Sequence, residues 1–268
     1  MSIEVELLTT GREAQYEALL HSVDSSLLYA SLAYRGFLRA VLADSSDRYL
    51  IAIDDGEVVG GLPCFVKYNA ACGNVLNSLP FYGSNGAITV AAGAADPVAV
   101  KSALMDAFFS LAIEEEVVAS TIISNPLQNE EEFFRAHADT FLCDARVGQI
   151  TPMLSLDSHD EGRIEEKLMA SFHQKTRNAI RKGQKSEITV RHSSAPSALN
   201  ALAEIHRQNM EAINRPAKPA SVFQAIRENF NYDQHYRVYL AEKNGTIIAA
   251  LLVFFYHRTA ESIVCFSR

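Results

Sequence analysis

Apolar and polar residues alternate in two β-hairpin patterns, one near each end of the chain. The stretch RYLIAIDDGEVVGGLPCFVKY, residues 48–68, places two β-rich runs around Asp55-Gly56. The stretch RVYLAEKNGTIIAALLVFFYH, residues 237–257, repeats the arrangement around Asn244-Gly245. Asp-Gly and Asn-Gly pairs supply the positive φ angles that a tight turn needs. The pattern therefore predicts two hairpins of the same kind.

The same order of elements precedes each predicted hairpin. The strand pattern IEVELL leads into the helical stretches EAQYEALLHS and LAYRGFLRAVL, and EITVRH leads into SALNALAEIHRQNMEAI and SVFQAIRENF. Superposed without gaps, the hairpins place Ala52 on Ala241 and Gly56 on Gly245. This repetition indicates an internal duplication of one unit. Two unrelated hairpins of a common type are the alternative.

Strand and helix patterns alternate after the first hairpin. They are NVLNSLP, VAVKSALMDAFFSLAIEEE, VASTIIS, EEEFFRAHA and QITPMLSL. Such alternation predicts an α/β (α+β) layer structure. After the second hairpin only ESIVCFSR follows, so we interpret the second unit as truncated at its C-terminus.

Net charge, hydrophobic runs and cysteine spacing exclude several classes of function. The chain has 268 residues and a formal net charge of -8, and it contains no run that resembles a membrane span or a signal peptide. We therefore expect a cytoplasmic protein without a transmembrane segment. The acidic balance argues against DNA binding. The four cysteines are scattered without ligand spacing, so reduced, mostly buried cysteines are expected and no metal site is predicted.

One stretch, FHQKTRNAIRKGQKS, is strongly basic. We predict that it ends a single helix running from Glu161 to about Lys182. Cations in a last helical turn complement the helix dipole, but five cations without an intervening acid also repel one another. Two arginines at i and i+4 can grip one phosphate group. An anion site and a charged helix end both remain open, and the candidate ligands are Arg177, Arg181 and Lys175.

A second candidate is the loop NSLPFYGSNGAI, which follows a predicted strand. Glycines allow a close backbone approach, and serine and asparagine add hydrogen-bond donors. An ordinary structural turn is the alternative. Tyr239 and Tyr256 are interpreted as sheet residues. The loop residues that could contact a ligand are Tyr82, Gly83, Ser84, Asn85 and Gly86.

Four motifs in this order resemble the FemABX-like family. They are SLLYASLAYRGFLRAVL, YLIAIDDGEVVGGLPCF, NSLPFYGSNGAI and KTRNAIRKGQKSEITV. The resemblance implies two tandem GNAT-like domains, each with a mixed, mostly antiparallel sheet flanked by helices. We assign residues 1–157 to the first domain and residues 158–268 to the second, which is incomplete.

The resemblance also implies an activity. It places Arg177 and Arg181, with Lys175 as a weaker candidate, near the phosphates of an acceptor, and the loop of residues 82–86 along the acceptor cleft. The acceptor would be a nucleotide-linked or lipid-linked sugar precursor of the cell envelope, at the inner membrane face if lipid-linked. The donor would be either aminoacyl-tRNA or acyl-CoA, although the coenzyme A loop pattern Q/R-x-x-G-x-G/A does not occur in the sequence. No catalytic residue is assigned.

Three hypotheses follow from this resemblance. The first is transfer of an acyl or aminoacyl group onto an amine of a phosphate-bearing, peptidoglycan-type precursor. The second is acyl-CoA-dependent N-acylation of an amino sugar of a surface polysaccharide. The third is a non-catalytic binding module with a degenerate GNAT pair.

Overall fold

The computed structural model describes residues 3–79, 81, 85–136 and 163–267. Within these residues the α-helices are α1 (Glu13–Ser22), α2 (Leu32–Val41), α3 (Pro97–Glu114), α4 (Glu131–Ala136), α5 (Ile164–Ser171), α6 (Gln174–Gln184), α7 (Pro196–Ala212) and α8 (Ala220–Asn229). The strands are β1 (Glu4–Leu7), β2 (Ser45–Asp47), β3 (Leu50–Asp54), β4 (Glu57–Leu62), β5 (Phe65–Lys67), β6 (Asn74–Ser78), β7 (Thr89–Val90), β8 (Val117–Ile122), β9 (Ile188–His192), β10 (Tyr236–Lys243), β11 (Thr246–Tyr256) and β12 (Thr259–Ser267).

The described strands form three four-stranded sheets. Two belong to the first half of the chain, with the orders β1-β3-β4-β7 and β2-β5-β6-β8, and the third, in the second half, has the order β12-β11-β10-β9. Strands β6 and β8 pair in parallel, whereas the other pairs are antiparallel. The predicted α/β (α+β) class is confirmed. The proposed domain boundary at residues 157 and 158 and the predicted strand QITPMLSL lie outside the described residues.

Both predicted hairpins form, and they share their register. Ala52 pairs with Gly60 before a β-bulge in the first hairpin, and Ala241 pairs with Ala249 before a β-bulge in the second. The bulges fall at the positions that the gap-free superposition equates. Strand β1 pairs with β3 as β9 pairs with β10. The repeat of strand, two helices and hairpin is therefore present in the fold, in agreement with the predicted duplication.

The turn residues take the backbone conformation that their sequence demands. Asp55 and Gly56 have φ angles of 50° and 82°, and Asn244 and Gly245 have φ angles of 51° and 75°. Both positions of each turn are thus left-handed, as a type I′ turn requires. The run after the first turn is not one strand, because it divides into β4 and β5. Pro63 lies at the break, since a proline has no N–H to give to a strand ladder.

Helices from both halves pack into a shared core. Helix α2 lies against α8, and a Cβ atom on Gly36 would come within 2.5 Å of Asn229 Oδ1. The ring of Phe230 contacts Phe37 from the first half and Phe254 from the second. This core fixes the position of the second sheet against the first half of the chain. A further core under α3 belongs to the first half alone.

A buried ion cluster ties α2 to its neighbours. Arg35 is 7% exposed and contacts Asp47 at 2.5 Å and Glu13 at 3.1 Å. It also donates to the carbonyl oxygen of Leu8. Arg39 contacts the other oxygen of Asp47 at 2.7 Å. Because a buried guanidinium needs partners for its N–H groups, this cluster orients α2.

Two further features concern composition. Among the described residues no helix combines the length and the apolar character needed to cross a membrane. Cys64 is buried and unpaired, whereas Cys72 is exposed, so the expectation of mostly buried cysteines does not hold for Cys72.

Candidate functional site

The sequence pattern predicted that the basic stretch ends one long helix, and this prediction is wrong. Helix α5 ends at Ser171 and α6 begins at Gln174. Between them Phe172 and His173 are extended, with ψ angles of 144° and 148°, and the His173 side chain accepts a hydrogen bond from the Lys175 backbone N–H. Such an acceptor satisfies an unpaired amide at the first turn and starts a new helix.

Arg177 stabilises the break between the two helices. Its Nη1 donates to the carbonyl oxygen of Phe172 at 2.6 Å. That carbonyl lies just beyond the end of α5, where no backbone N–H group of the helix is available as its hydrogen-bond donor. Arg177 therefore has a structural role that the sequence did not indicate. A guanidinium carries five N–H groups, so donors remain for a ligand.

Lys175 and Arg181 lie on the exposed surface of α6, a helix with no buried residue. Within the described chain, no carboxylate forms an ion pair with either side chain. Arg181 is one turn beyond Arg177, so the two guanidinium groups lie on one side of the helix. Lys175, two positions before Arg177, points to a different side of α6.

The predicted loop is described only in part, because Tyr82, Gly83 and Ser84 lie outside the described residues. Asn85 is half-buried and Gly86 is buried. A Cβ atom on Gly86 would lie 2.5 Å from the Ser78 carbonyl oxygen, so only glycine fits there. Gly86 thus allows a close approach of the chain's own backbone at Ser78.

The described ends of the loop lie at the ends of two parallel strands. Leu79, directly after β6, is left-handed with φ 54°, which is uncommon for a residue other than glycine. The Gly86 N–H donates to the carbonyl oxygen of Ile123, directly after β8, at 3.1 Å. The two described ends of the loop, Leu79 and Gly86, therefore lie at the carboxyl ends of β6 and β8. Strained backbone of this kind often accompanies binding sites.

A line of tyrosines leads from the loop to the second sheet. Tyr34 donates to the carbonyl oxygen of Phe81 in the loop at 3.1 Å. Its ring packs edge-on against that of Tyr29, with centroids 5.1 Å apart. Tyr29 in turn donates to Glu261 Oε2 on β12 at 2.5 Å. Three successive contacts thus connect the loop with the second half of the chain.

These contacts end in a small recess between the two halves. Its walls come from the turn before α2 and from β11 and β12, and they comprise Leu28, Tyr29, Phe254, Tyr256, Thr259 and Glu261. The Tyr256 hydroxyl is buried here without a hydrogen-bond partner in the described structure. Buried hydroxyls are normally paired, so the recess has unused hydrogen-bonding capacity.

Burial shifts the pKa values of the ionisable side chains that line the recess. Burial raises the pKa of the Glu261 carboxyl, and the hydrogen bond from Tyr29 only partly offsets this. Burial and the negative charge of Glu261 raise the pKa of Tyr29. Burial, followed by the charge of Glu17, raises the pKa of Tyr256. The recess thus disfavours negative charge and holds its tyrosines as neutral donors.

Sequence reasoning missed this recess. Tyr256 was interpreted only as a sheet residue, and neither Tyr29 nor Glu261 was singled out. Two tyrosines close together in the sequence, Tyr29 in SLLY and Tyr34 in LAYR, are the one sequence signal that could have indicated these contacts. Among the described residues no hydrogen bond or ion pair joins α6 to the loop of residues 79–86.

Comparison with known proteins agrees with the architecture. Residues 170–265 match the acetyltransferase (GNAT) domain family. The whole fold is similar to the crystal structure of FemX, with 14% identity and a TM-score of 0.70 over 98% of this chain and 80% of that chain. The predicted FemABX-like, tandem GNAT-type fold is confirmed by this likeness. The predicted class, a GNAT-type acyltransferase, is confirmed by the domain match.

Other solved structures are more distant. A tandem GNAT protein from the clavulanic acid biosynthesis pathway is 12% identical, with a TM-score of 0.48 over 98% of this chain and 79% of that chain. A ribosomal-protein-alanine N-acetyltransferase from Brucella melitensis biovar Abortus 2308 is 15% identical, with a TM-score of 0.37 over 57% of this chain and 100% of that chain. No curated protein matches the sequence significantly.

Proposed function

We propose that the protein transfers an acyl or aminoacyl group onto an amine of a phosphate-bearing cell-envelope precursor of the peptidoglycan type. The amine attacks the activated carbonyl of the donor, an amide forms, and the donor's leaving group departs. Orientation of two substrates and stabilisation of the developing charge can supply most of the rate enhancement. The GNAT-type fold supports this reaction class.

The observation that carries the proposal is the basic face of α6. Lys175 and Arg181 have no carboxylate partner among the described residues, although the chain as a whole is acidic. Arg177 and Arg181, at i and i+4, are like charges that repel each other, and a bound phosphate or diphosphate removes that repulsion. Arginine side chains bind phosphate oxygens through two parallel hydrogen bonds. An acceptor with a phosphate group fits this surface.

The loop of residues 82–86 is proposed to line the cleft for the rest of the acceptor. Its support is the strained Leu79 and the close approach at Gly86, which lock its described end in place. In this proposal a nucleotide-linked or lipid-linked sugar precursor is the partner. The reaction then takes place in the cytoplasm, at the inner membrane face when the acceptor is lipid-linked.

The donor is proposed to be aminoacyl-tRNA, in line with the resemblance to the FemABX-like family. An acyl-CoA donor, with an amino sugar of a surface polysaccharide as acceptor, is the second candidate. The match of residues 170–265 to an acetyltransferase domain favours that alternative. The two candidates differ in the donor and share the attack of an amine on an activated carbonyl.

Ligand-induced stabilisation tests the proposed acceptor and donor. The full chain is titrated with a UDP-linked muramyl pentapeptide, UDP, coenzyme A and acetyl-CoA, and its thermal midpoint is measured. A ligand at a hundredfold excess over its Kd stabilises by about 2.7 kcal/mol. The variants are Lys175→Ala and Arg181→Ala. Arg135→Ala, which removes an exposed cation of α4, is the charge-matched control.

We expect the muramyl nucleotide to raise the midpoint of the wild type and of Arg135→Ala. The Lys175→Ala and Arg181→Ala variants should lose most of that shift, since they remove the phosphate ligands. Stabilisation by coenzyme A and not by the muramyl nucleotide would instead support the acyl-CoA candidate. Equal stabilisation of all four proteins by the muramyl nucleotide would remove α6 from the acceptor site.

A further inference from the structure

We propose that helix α6 docks on an anionic membrane surface through a basic face that is wider than one phosphate group requires. This basic face consists of five cations on the helix or directly after it: Lys175, Arg177, Arg181, Lys182 and Lys185. The inference goes beyond the proposed function, because it concerns the surface on which the protein works and needs neither acceptor nor donor. Lys182 and Lys185 have no role in the proposed acceptor site.

The width of the basic face is the first argument. Successive residues of an α-helix lie about 100° apart around its axis, so the five cations occupy one arc of about 160°. Arg177 and Arg181 form one edge of this arc. Lys175 and Lys182 form the other edge, and Lys185 falls between the two edges. Because two arginines suffice for one phosphate group, the lysines remain for contact with an extended anionic plane.

Charge complementarity is the second argument. Among the described residues no ion pair joins a cation of the basic face to a carboxylate. Residues 172–186 contain no acidic residue, although the whole chain has a formal net charge of -8. On the neighbouring helix α5, Glu165 accepts a hydrogen bond from Gln184 and not from a cation. A negatively charged surface outside the protein complements such a face.

The helix dipole explains only part of the basic face. Arg181 and Lys182 lie in the last turn of α6, where the dipole favours a cation. Lys175 is the second residue of the helix, where the dipole disfavours a cation. Like charges at i and i+4, such as Arg177 and Arg181, also repel each other. An anionic surface that contacts the helix offsets both costs.

Apolar side chains beside α6 favour a membrane over a nucleic acid. Leu168 and Met169 of α5, and Phe172 at the break between the helices, are only half-buried. Arg177 donates to the Phe172 carbonyl oxygen, so this phenylalanine lies next to the basic face. Helices that bind membrane surfaces combine Lys and Arg with apolar residues that enter the boundary between head groups and acyl chains. Helix α6 itself has no aromatic residue on which a nucleobase could stack.

The number of cations suits reversible binding. Each Lys or Arg near a bilayer with anionic lipids strengthens binding about fivefold. Clusters of about four to eight such residues on a helix are typical of binding to anionic head groups. The attraction falls off within a Debye length, so salt weakens it. Binding through α6 should therefore depend both on the charge of the lipid and on the ionic strength.

Vesicle sedimentation and hydrogen exchange on the full chain test the inference. The vesicles contain either phosphatidylcholine alone or equal parts of phosphatidylcholine and phosphatidylglycerol, at low and at high ionic strength. The test variant is Lys182→Gln/Lys185→Gln, which places a good helix former at two exposed positions. The control is Arg135→Gln/Arg207→Gln, which changes the net charge by the same amount at two exposed arginines that pair with carboxylates.

We expect the wild type and the arginine control to bind the mixed vesicles and not those of phosphatidylcholine alone. The lysine variant should bind about tenfold more weakly or worse, because it loses two of the five cations. High ionic strength should release the wild type, and bound vesicles should slow the hydrogen exchange of residues 172–186. Equal binding of the lysine variant and the wild type, equal binding to both kinds of vesicle, or no vesicle binding would overturn the inference.

Two further comparisons separate this inference from its neighbours. Deacylated transfer RNA is added to the same three proteins. RNA binding that depends on Lys182 and Lys185, without vesicle binding by the wild type, would assign the basic face to RNA and overturn the inference. The proposed acceptor is tested independently, because the vesicles contain no sugar precursor. Vesicle binding without a thermal shift by the muramyl nucleotide would support the inference and remove the proposed acceptor.

Discussion

Tyr29 donates a hydrogen bond of 2.5 Å to Glu261 across 232 positions of the chain. Tyr29 precedes α2 in the first half, and Glu261 lies on β12 in the second. The bond therefore fixes the second sheet against the first half at the recess. Among the described residues no donor reaches the other carboxylate oxygen, Oε1, of Glu261.

Removal of the Tyr29 hydroxyl should weaken this contact. Tyr29→Phe is expected to lower the free energy of unfolding by about 1 kcal/mol, because a buried acceptor loses its donor. The hydrogen bond from Tyr29 lowers the pKa of Glu261, so the pKa should rise further in this variant. Urea unfolding and carbon-13 NMR measure the two effects. In a double-mutant cycle, Glu261→Gln and Tyr29→Phe should be non-additive, and additivity would contradict the contact.

Replacement of Gly86 tests the geometry of the acceptor loop. Gly86→Ala should destabilise the protein by about 1–3 kcal/mol and weaken acceptor binding, since the added Cβ atom meets the Ser78 carbonyl oxygen at 2.5 Å. Gly93→Ala is the matched control, because nothing lies within 4 Å of a Cβ atom there. Denaturant unfolding and calorimetry provide the two measurements. Equal behaviour of both variants would show that the loop does not pass close to Ser78.

The cluster around Asp47 predicts a pH dependence. Burial alone would raise the pKa of Asp47, but hydrogen bonds from Arg39 and Arg35 outweigh it and hold the pKa below its ordinary value. A lowered carboxyl pKa contributes stability that is present at neutral pH and is lost as the pH falls through the pKa of the folded state. The loss attributable to Asp47 should therefore appear below about pH 4.

Asp47→Asn checks this dependence. The variant should be about 1–3 kcal/mol less stable than the wild type at pH 7, because the buried Arg35 loses a charged partner. The difference between the two proteins should shrink as the pH falls from 5 to 3. Urea midpoints measured across that range, with the exposed Glu57→Gln as control, provide the test. A difference that stays constant with pH would exclude an ionised Asp47 as the cause.

Arg177 and Arg181 should differ although they lie one turn apart. Arg177→Ala should lower the free energy of unfolding by about 1 kcal/mol, because it removes the hydrogen bond to the Phe172 carbonyl oxygen. Arg181→Ala should leave stability nearly unchanged and reduce acceptor binding. Thermal unfolding with and without the muramyl nucleotide separates the two effects. The assignment is wrong if Arg181→Ala destabilises the free protein as much as Arg177→Ala.

The sequence predicted the repeated units well because their signals are local. Asp55-Gly56 and Asn244-Gly245 determine tight turns through φ angles that few other residues adopt. The flanking strands and helices follow from periodicity over neighbouring residues. The break at Phe172 and His173 was missed, because the helical spacing continues across it. A side-chain cap and the Arg177 contact decide that break instead.

The recess could not be predicted for a different reason. Tyr29 and Glu261 meet only after α2 has packed on α8 and the second sheet has been placed against the first half. Tyr29 lies in the SLLYASLAYRGFLRAVL motif, but nothing in that motif indicates its partner, and Glu261 belongs to an ordinary strand pattern. Contacts between residues this distant depend on tertiary structure, which a single sequence does not display.

The most direct test of the account is a transfer assay read by mass spectrometry. The full chain is incubated with a lysine-containing UDP-muramyl pentapeptide and with either a mixture of aminoacyl-tRNAs or acetyl-CoA. We predict that the acceptor gains the mass of one aminoacyl group on its lysine amine. Arg181→Ala should reduce this gain, whereas Arg135→Ala should not. An acceptor that binds but gains no mass with any donor would contradict the account and indicate a binding protein without transferase activity.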